Sequence, residues 1–190
     1  MSKREFKPGC MLSPVPAALI SCSDKEGNDN LITLAWVGTV NSEPPMVSIS
    51  VRKSRHSYHM IEESGEFVVN LTTRDMVYMT DKCGVISGSK EDKWALSGFT
   101  KEKAKVVAAP LVAESPVNIE CKVIDAKELG SHTMFIGEVV SVSVDNSFFD
   151  ENDRFNMDNM ELVAYNHGSY QLLGEVVGTF GYSVRKDKKK

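Results

Sequence analysis

Between residues 51 and 61 the chain reads VRKSRHSYHMI, which sets Arg52, Lys53, Arg55, His56 and His59 within nine positions. The stretch follows a strand-like run and precedes a helix-like one. A helix start carries unpaired N–H groups and the positive end of the macrodipole, so it is a natural seat for an anion. Three cations and the hydroxyls of Ser54 and Ser57 in one connection would all be satisfied by a phosphate group. One charge pair at ~4 Å gives about 4 kcal/mol at an effective dielectric of ~20, before desolvation. Without an anion, the same residues would make only a solvated basic loop before a capped helix.

Other chemistries are poorly served. His56 and His59 stand three apart on the expected helix, as two metal ligands could, but no carboxylate or cysteine pair accompanies them. No G-x-S-x-G occurs, so a nucleophile elbow is excluded. No G-x-G-x-x-G occurs either, which excludes a Rossmann nicotinamide domain. Cys10, Cys22, Cys83 and Cys121 are scattered without a C-x-x-C pair and read as reduced thiols rather than a disulfide framework or zinc ribbon.

The elements that must position the basic cluster are mostly strands. VPAALISC (15–22) is a short apolar run ended by the turn-like DKEGNDN. LITLAWVGTV (31–40) is nearly all apolar or small, as in a strand covered on both faces. NSEPP interrupts it, because Pro44 and Pro45 cannot both sit in a central ladder. MVSISV (46–51) alternates, SYHMIEES (57–64) forms a short helix started by Ser57 and stopped by Gly65, and EFVVNL (66–71) returns as a strand. Residues 74–98 read as helical around the loop CGVISGSKEDK, and 101–115 as irregular. VNIECKVIDA (117–126) alternates apolar and polar; HTMFIGEVVSVSV (132–144) changes phase around Gly137, the mark of a bulge or a close backbone approach. SYQLLG (169–174) and GTFGYSV (178–184) close the chain. Seven or so antiparallel strands with few helices point to a β-barrel rather than a doubly wound α/β fold.

The 190 residues are 42% hydrophobic, enough for one cored domain, and the formal net charge is -4. That balance argues against a nucleic-acid or anionic-membrane binder, which needs a positive field over a whole face. The basic RKDKKK at 185–190 is expected to be a solvated tail. MSKREFKPGCML lacks the apolar centre of a signal peptide and no run is long enough for a membrane span, so a cytoplasmic protein is expected.

TLAWVGTVNSEPPMVSISVRKSRHSYHMIEESGEFVVNL resembles the opening of the flavin reductase-like proteins, which bind FMN in a split β-barrel. SGSKEDK (87–93), LGSHTMFIGEV (129–139) and YNHGSYQLLGE (165–175) follow in the order and spacing of that family. The likeness spans roughly 12–184 and is nearest to the flavoredoxin branch. It implies a mainly β, Greek-key FMN-binding split barrel with a few short helices, one domain over 1–190. By resemblance, Asn30 and Trp36 match flavin contacts, the backbone of Thr33, Leu34 and Ala35 edges the ring with Ser50 beside it, and Arg52, Lys53 and Ser57 hold the phosphate. Serine replaces the threonine of many relatives at 57 and keeps the hydroxyl. Lys93 and Asp92 match the SGR-x-x-DK motif, in which Ser89 here replaces an arginine. His132 and Thr133 match the family histidine block, where an imidazole could stabilise charge on the reduced flavin. Tyr165 aligns with an aromatic beside the flavin, with Tyr170 competing for that place.

The resemblance implies a homodimeric electron-transfer protein in which the flavin supplies the chemistry and no residue acts as a covalent catalyst. NAD(P)H would have to bind transiently against the flavin as donor. Two classes compete: a flavin or ferric reductase that turns over a small acceptor, and a carrier that exchanges electrons with protein partners.

Overall fold

The computed structural model describes residues 1–185; the expected basic tail lies outside the described residues except for Arg185. Five strands run to the basic cluster: β1 (Val15–Pro16), β2 (Ala18–Ser23), β3 (Asp29–Leu34), β4 (Val37–Ser42) and β5 (Pro45–Val51). Then follow α1 (His56–Ser64), β6 (Glu66–Leu71), α2 (Val77–Val85), α3 (Lys93–Ser97), β7 (Lys101–Glu102) and β8 (Leu111–Val112). The long strands β9 (Val117–Glu128) and β10 (Thr133–Val144) precede a hairpin of β11 (Val163–Asn166) and β12 (Ser169–Leu172). Seven strands form one antiparallel sheet in the order β3-β2-β6-β9-β10-β5-β4, and β1-β11-β12 form a second. The segment after β3 turns back on β5, where Ser50 N–H donates to the Trp36 carbonyl at 2.9 Å. The large sheet therefore curls towards closure, as a split barrel does.

Strand β2 (ALISCS) is buried along its whole length. Ala18, Ile20 and Cys22 point into the barrel with Ile49, Val51, Phe67, Cys121 and Phe135. Leu19 points the other way, into a second cluster with Leu31, Met76, Cys83, Trp94 and Val112 beneath the helices. Such two-sided burial is why this strand reads as continuous rather than alternating.

Several sequence expectations change. LITLAWVGTV is two strands, not one: β3 ends at Leu34, Ala35 and Trp36 stand outside both ladders, and β4 resumes as the sheet edge. The apolar run there serves a cavity as well as a core. Ser57 does not cap α1. Arg55 occupies the N-cap position without a side-chain cap, while Gly65 closes the helix at φ 68°, as expected. The polar face of β9 is not exposed at its start, since Asn118 and Glu120 are buried beneath residues 103–112. Residues 163–166 pair as a strand that the sequence did not announce, and SYQLLG stops at Leu172. GTFGYSV forms no strand and pairs with no ladder among the described residues; it ends in a short 3-10 turn at Tyr182–Val184.

Gly137 behaves as its position suggested. The β9–β10 register shifts at Ile136/Gly137, and a Cβ at Gly137 would stand 2.6 Å from the Phe67 ring. No helix among the described residues is long and apolar enough to cross a membrane.

Candidate functional site

The strand-to-helix connection sorts its cations by turn geometry. Arg55 N–H donates to the Arg52 carbonyl at 2.9 Å, so the two arginines stand at the ends of one tight turn with Lys53 and Ser54 at its tip. Arg52 and Arg55 both line a cavity of about 310 Å³. Lys53 faces outward and pairs with Glu128 at 2.5 Å. Register places the next residue: Val51 pairs with Thr133, so Arg52 emerges opposite His132, which lines the same cavity.

The rest of the wall comes from the end of β3, from β5, from α2 and from the β11–β12 hairpin. Thr33, Leu34, Ala35 and Trp36 contribute from the end of β3, and Ser50 from β5. Trp36 remains 39% exposed, too open for a simple core aromatic. Helix α2 supplies Asp81, Gly84 and Val85. Gly84 lets that helix lie close to β3, since a Cβ there would be 3.2 Å from the Thr33 Cβ, and the Thr33 hydroxyl donates to the Thr80 carbonyl. Tyr165 and Tyr170, paired across β11 and β12, stack edge-to-face at 5.7 Å and both reach the cavity. The Tyr170 hydroxyl donates to Asp81 at 3.0 Å, and burial, with that carboxylate adding to it, lifts its pKa to about 12. Both tyrosines are therefore wall residues of the cavity.

Two polar cavities adjoin the start of α1. One of about 530 Å³ is lined by Asn30, His56 and the loop from Gly88 to Lys93; another, of about 430 Å³, by Lys53, Ser54, Arg55 and His56. Arg55 belongs to the wall of the apolar cavity as well, so the helix start is where the three spaces come together. Lys93 is only 4% exposed and donates to the Cys83 carbonyl at 2.6 Å. Burial, with the Arg55 charge adding to it, brings its pKa down to about 8. Asn30 donates to the buried Ser57 hydroxyl at 2.8 Å, and the Gly88 backbone packs so closely on Asn30 that a Cβ would lie 2.4 Å from its amide oxygen.

Of the residues singled out in the sequence, Thr33, Leu34, Ala35, Trp36, Ser50, Arg52, His132 and Tyr165 converge on the apolar cavity. Asn30 and Lys93 line the neighbouring polar one, and Lys53 the outer groove. Ser57 and Thr133 are buried among protein partners, Thr133 standing 3.3 Å from the Tyr58 hydroxyl. Arg55 belongs to the basic cluster read from the sequence as a phosphate seat, although the family resemblance carried over only Arg52, Lys53 and Ser57. Sequence reasoning missed Asp81 and Gly84, for which the only cue was a glycine inside a helical stretch.

The donor set can be tested against a flavin. Arg52 and Arg55 make no ion pair among the described residues, unlike Lys53, Arg74 and Lys101. Two unpaired guanidinia at an uncapped helix start suit a phosphate. The apolar cavity beside them, with aromatic walls and a few polar groups, suits a planar ring. His132 is pushed below its ordinary value by burial and by Arg52, both of which favour the uncharged imidazole. The fit is good.

Such a barrel and cavity define a flavin-binding redox class. The chain belongs to the flavin reductase like domain family, whose match covers residues 11–173. The flavoredoxin of Desulfovibrio vulgaris (Miyazaki F) is 31% identical, superposes with a TM-score of 0.89, and covers 97% of this chain with 100% of its own. The flavoredoxin of Methanosarcina acetivorans is 29% identical at a TM-score of 0.88, with the same coverages. The uncharacterized protein YddH of Escherichia coli is 32% identical over 161 residues, covering 83% of this chain and 84% of itself.

Proposed function

We propose that this protein is a cytoplasmic, homodimeric, single-domain redox protein that holds FMN without a covalent bond and passes electrons through it. The observation that carries the reading is the pair of unpartnered guanidinia, Arg52 and Arg55, where the apolar cavity meets the open start of α1. Thr33, Leu34, Ala35, Trp36, Tyr165 and Tyr170 would hold the ring, and Arg52 and Arg55 the phosphate. Asn30 and Lys93 would serve the polar space next to it. The bound flavin supplies hydride and single-electron chemistry that no side chain here provides.

His132 has its Nδ1 2.8 Å from the Ser131 hydroxyl, which leaves Nε2 to hydrogen-bond, or exchange a proton with, a group in the cavity. Asp81 is engaged by Tyr170 and so is directed to shaping the wall rather than to pairing with the arginines. NAD(P)H is the proposed transient donor, entering from the side on which Trp36 is exposed.

Titration of the apoprotein with FMN and with riboflavin tests the anchor. FMN should bind about 100-fold more tightly or better, given roughly 1.5–3 kcal/mol for each hydrogen bond to a charged group. Equal affinities would remove the phosphate from the reading. Anaerobic mixing with NADH and NADPH separates the two functional classes: bleaching of the flavin absorbance marks a reductase, and its absence, with reduction by a redox protein, marks a carrier.

A further inference from the structure

The apolar cavity has one acidic wall residue. Arg52 and Arg55 reach it from the β5–α1 connection and His132 from the turn before β10, whereas Asp81, on helix α2, is the single carboxylate among the lining residues. Its place is fixed from two sides. Gly84 lets α2 lie against β3, and the Thr33 hydroxyl donates to the carbonyl of Thr80, the residue before Asp81. From the β11–β12 hairpin, the Tyr170 hydroxyl donates to the Asp81 carboxylate at 3.0 Å, and the Tyr170 ring rests edge-to-face on Tyr165. With its pKa lifted to about 12, that phenol stays a donor across the neutral range. Asp81 makes no ion pair among the described residues, and neighbouring Lys82 lies over the Tyr78 ring instead, 6.0 Å from its centroid. A carboxylate tied to the wall by a neutral partner still projects its charge into the cavity.

We propose that Asp81, held in place by Tyr170, lowers the reduction potential of the bound flavin. The inference rests on the FMN reading above and adds the residue that sets how strongly the reduced cofactor donates electrons. Two electrons taken up with one proton leave a flavin ring one negative charge richer. Arg52, Arg55 and His132 favour that charge and Asp81 opposes it. The balance changes when FMN enters: its phosphate answers the two arginines, while nothing in the wall answers Asp81. At about 310 Å³ the cavity is close to the size of the ring, so the ring cannot sit far from this carboxylate. Asp81 is also open to water, so its influence is that of a screened charge. The expected size is about fivefold in the ratio of the affinities for reduced and oxidised FMN, or about 20 mV in a two-electron potential.

The test is the midpoint potential of the FMN-loaded protein, read from the flavin absorbance against reference dyes, beside anaerobic titration of the apoprotein with oxidised and with reduced FMN. Asp81→Asn keeps an acceptor for Tyr170 and removes the charge. It should bind oxidised FMN about as well as wild type, bind reduced FMN about fivefold more tightly, and raise the potential by about 20 mV. Asp81→Glu restores the charge and should return the potential towards wild type. Asp75→Asn removes an exposed carboxylate that does not line the cavity, and should leave the potential where it is. Tyr170→Phe keeps the charge but frees it to turn into solvent, so the potential should rise by less than in Asp81→Asn; a value unchanged or lower overturns the part given to Tyr170. An Asp81→Asn protein that retains FMN at the wild-type potential overturns the inference and leaves the FMN reading standing, as does an equal rise in Asp75→Asn, which would trace the effect to net charge. A wild-type protein that does not retain FMN overturns both.

Discussion

Two charged spots in this molecule treat their charge in opposite ways. Glu120 is 0% exposed, yet its carboxylate accepts the N–H groups of Lys105, Val106 and Val107 at 3.0, 2.6 and 3.1 Å. Burial alone would raise its pKa, but those bonds outweigh it and hold the carboxyl below the usual value. The protein has provided every partner this charge requires. Arg52 and Arg55, at the wall of an open cavity, are not so provided. The difference teaches how to tell a structural charge from a functional one. A charge answered by the chain's own groups fastens the fold, while a cluster left unanswered beside a cavity is matched to something that arrives from outside.

The largest effect expected from that contrast is on ligand affinity. Arg52→Ala/Arg55→Ala should weaken FMN by about 100-fold or more, leave riboflavin nearly unchanged, and shift the melting temperature of the apoprotein little. Removing two like charges from the ends of one turn relieves repulsion, so a small rise in melting temperature also agrees. Equal loss of both ligands would show that the arginines shape the cavity instead of binding phosphate.

Glu120→Ala should do the reverse. Three N–H groups, that of Val107 buried and the other two partly so, would lose a charged acceptor, at roughly 1 kcal/mol each, for a total of about 3 kcal/mol. In a chain of this size that is a fall of about 10 °C in melting temperature. FMN affinity of the folded protein should be unchanged. If Glu120→Ala loses FMN at full stability, the division between the two spots is wrong.

Acid sharpens the same comparison by a smaller step. Since the Glu120 carboxyl is held below its unfolded value of 4.5, its contribution is fully present above that pH and is lost as pH falls through the folded value. Denaturant melts between pH 5 and pH 3 should therefore show a steeper loss of stability in wild type than in Glu120→Gln, which cannot titrate there. Parallel curves would mean that Glu120 is not the group responsible.

What the sequence made legible follows from the same distinction. The basic turn, the Gly65 stop and the Gly137 bulge could be read because each answers to a local rule, of charge, backbone conformation or alternation. The break at Ala35–Trp36 could not, since an apolar run looks alike whether it lines a core or a cavity. Lys53 and Arg55 are indistinguishable as residues in a list; only the hydrogen bond from Arg55 to Arg52 decides which cation turns inward and which pairs with Glu128. Asp81 and Tyr170 are 89 positions apart and meet through tertiary packing alone. The burial of Glu120 was hidden for the same reason, because its partners are backbone groups, which carry no signature in composition.

The smallest expected effect is the most direct probe of where the anion sits. His132 is depressed first by burial and then by Arg52. A phosphate against Arg52 would offset that positive charge, so the His132 pKa should be higher in the FMN complex than in the riboflavin complex, where the Arg52 contribution stays in place. The imidazole C–H shifts in proton NMR, followed against pH for the apoprotein and both complexes, separate the two contributions. Burial by the ring lowers the pKa in both complexes, and only the phosphate lifts it in one. Arg52→Ala should raise the apoprotein value and abolish the difference between ligands. Should the two flavins titrate His132 identically in wild type, the phosphate lies at the outer groove with Lys53, and the inward-facing arginines hold some other negative group.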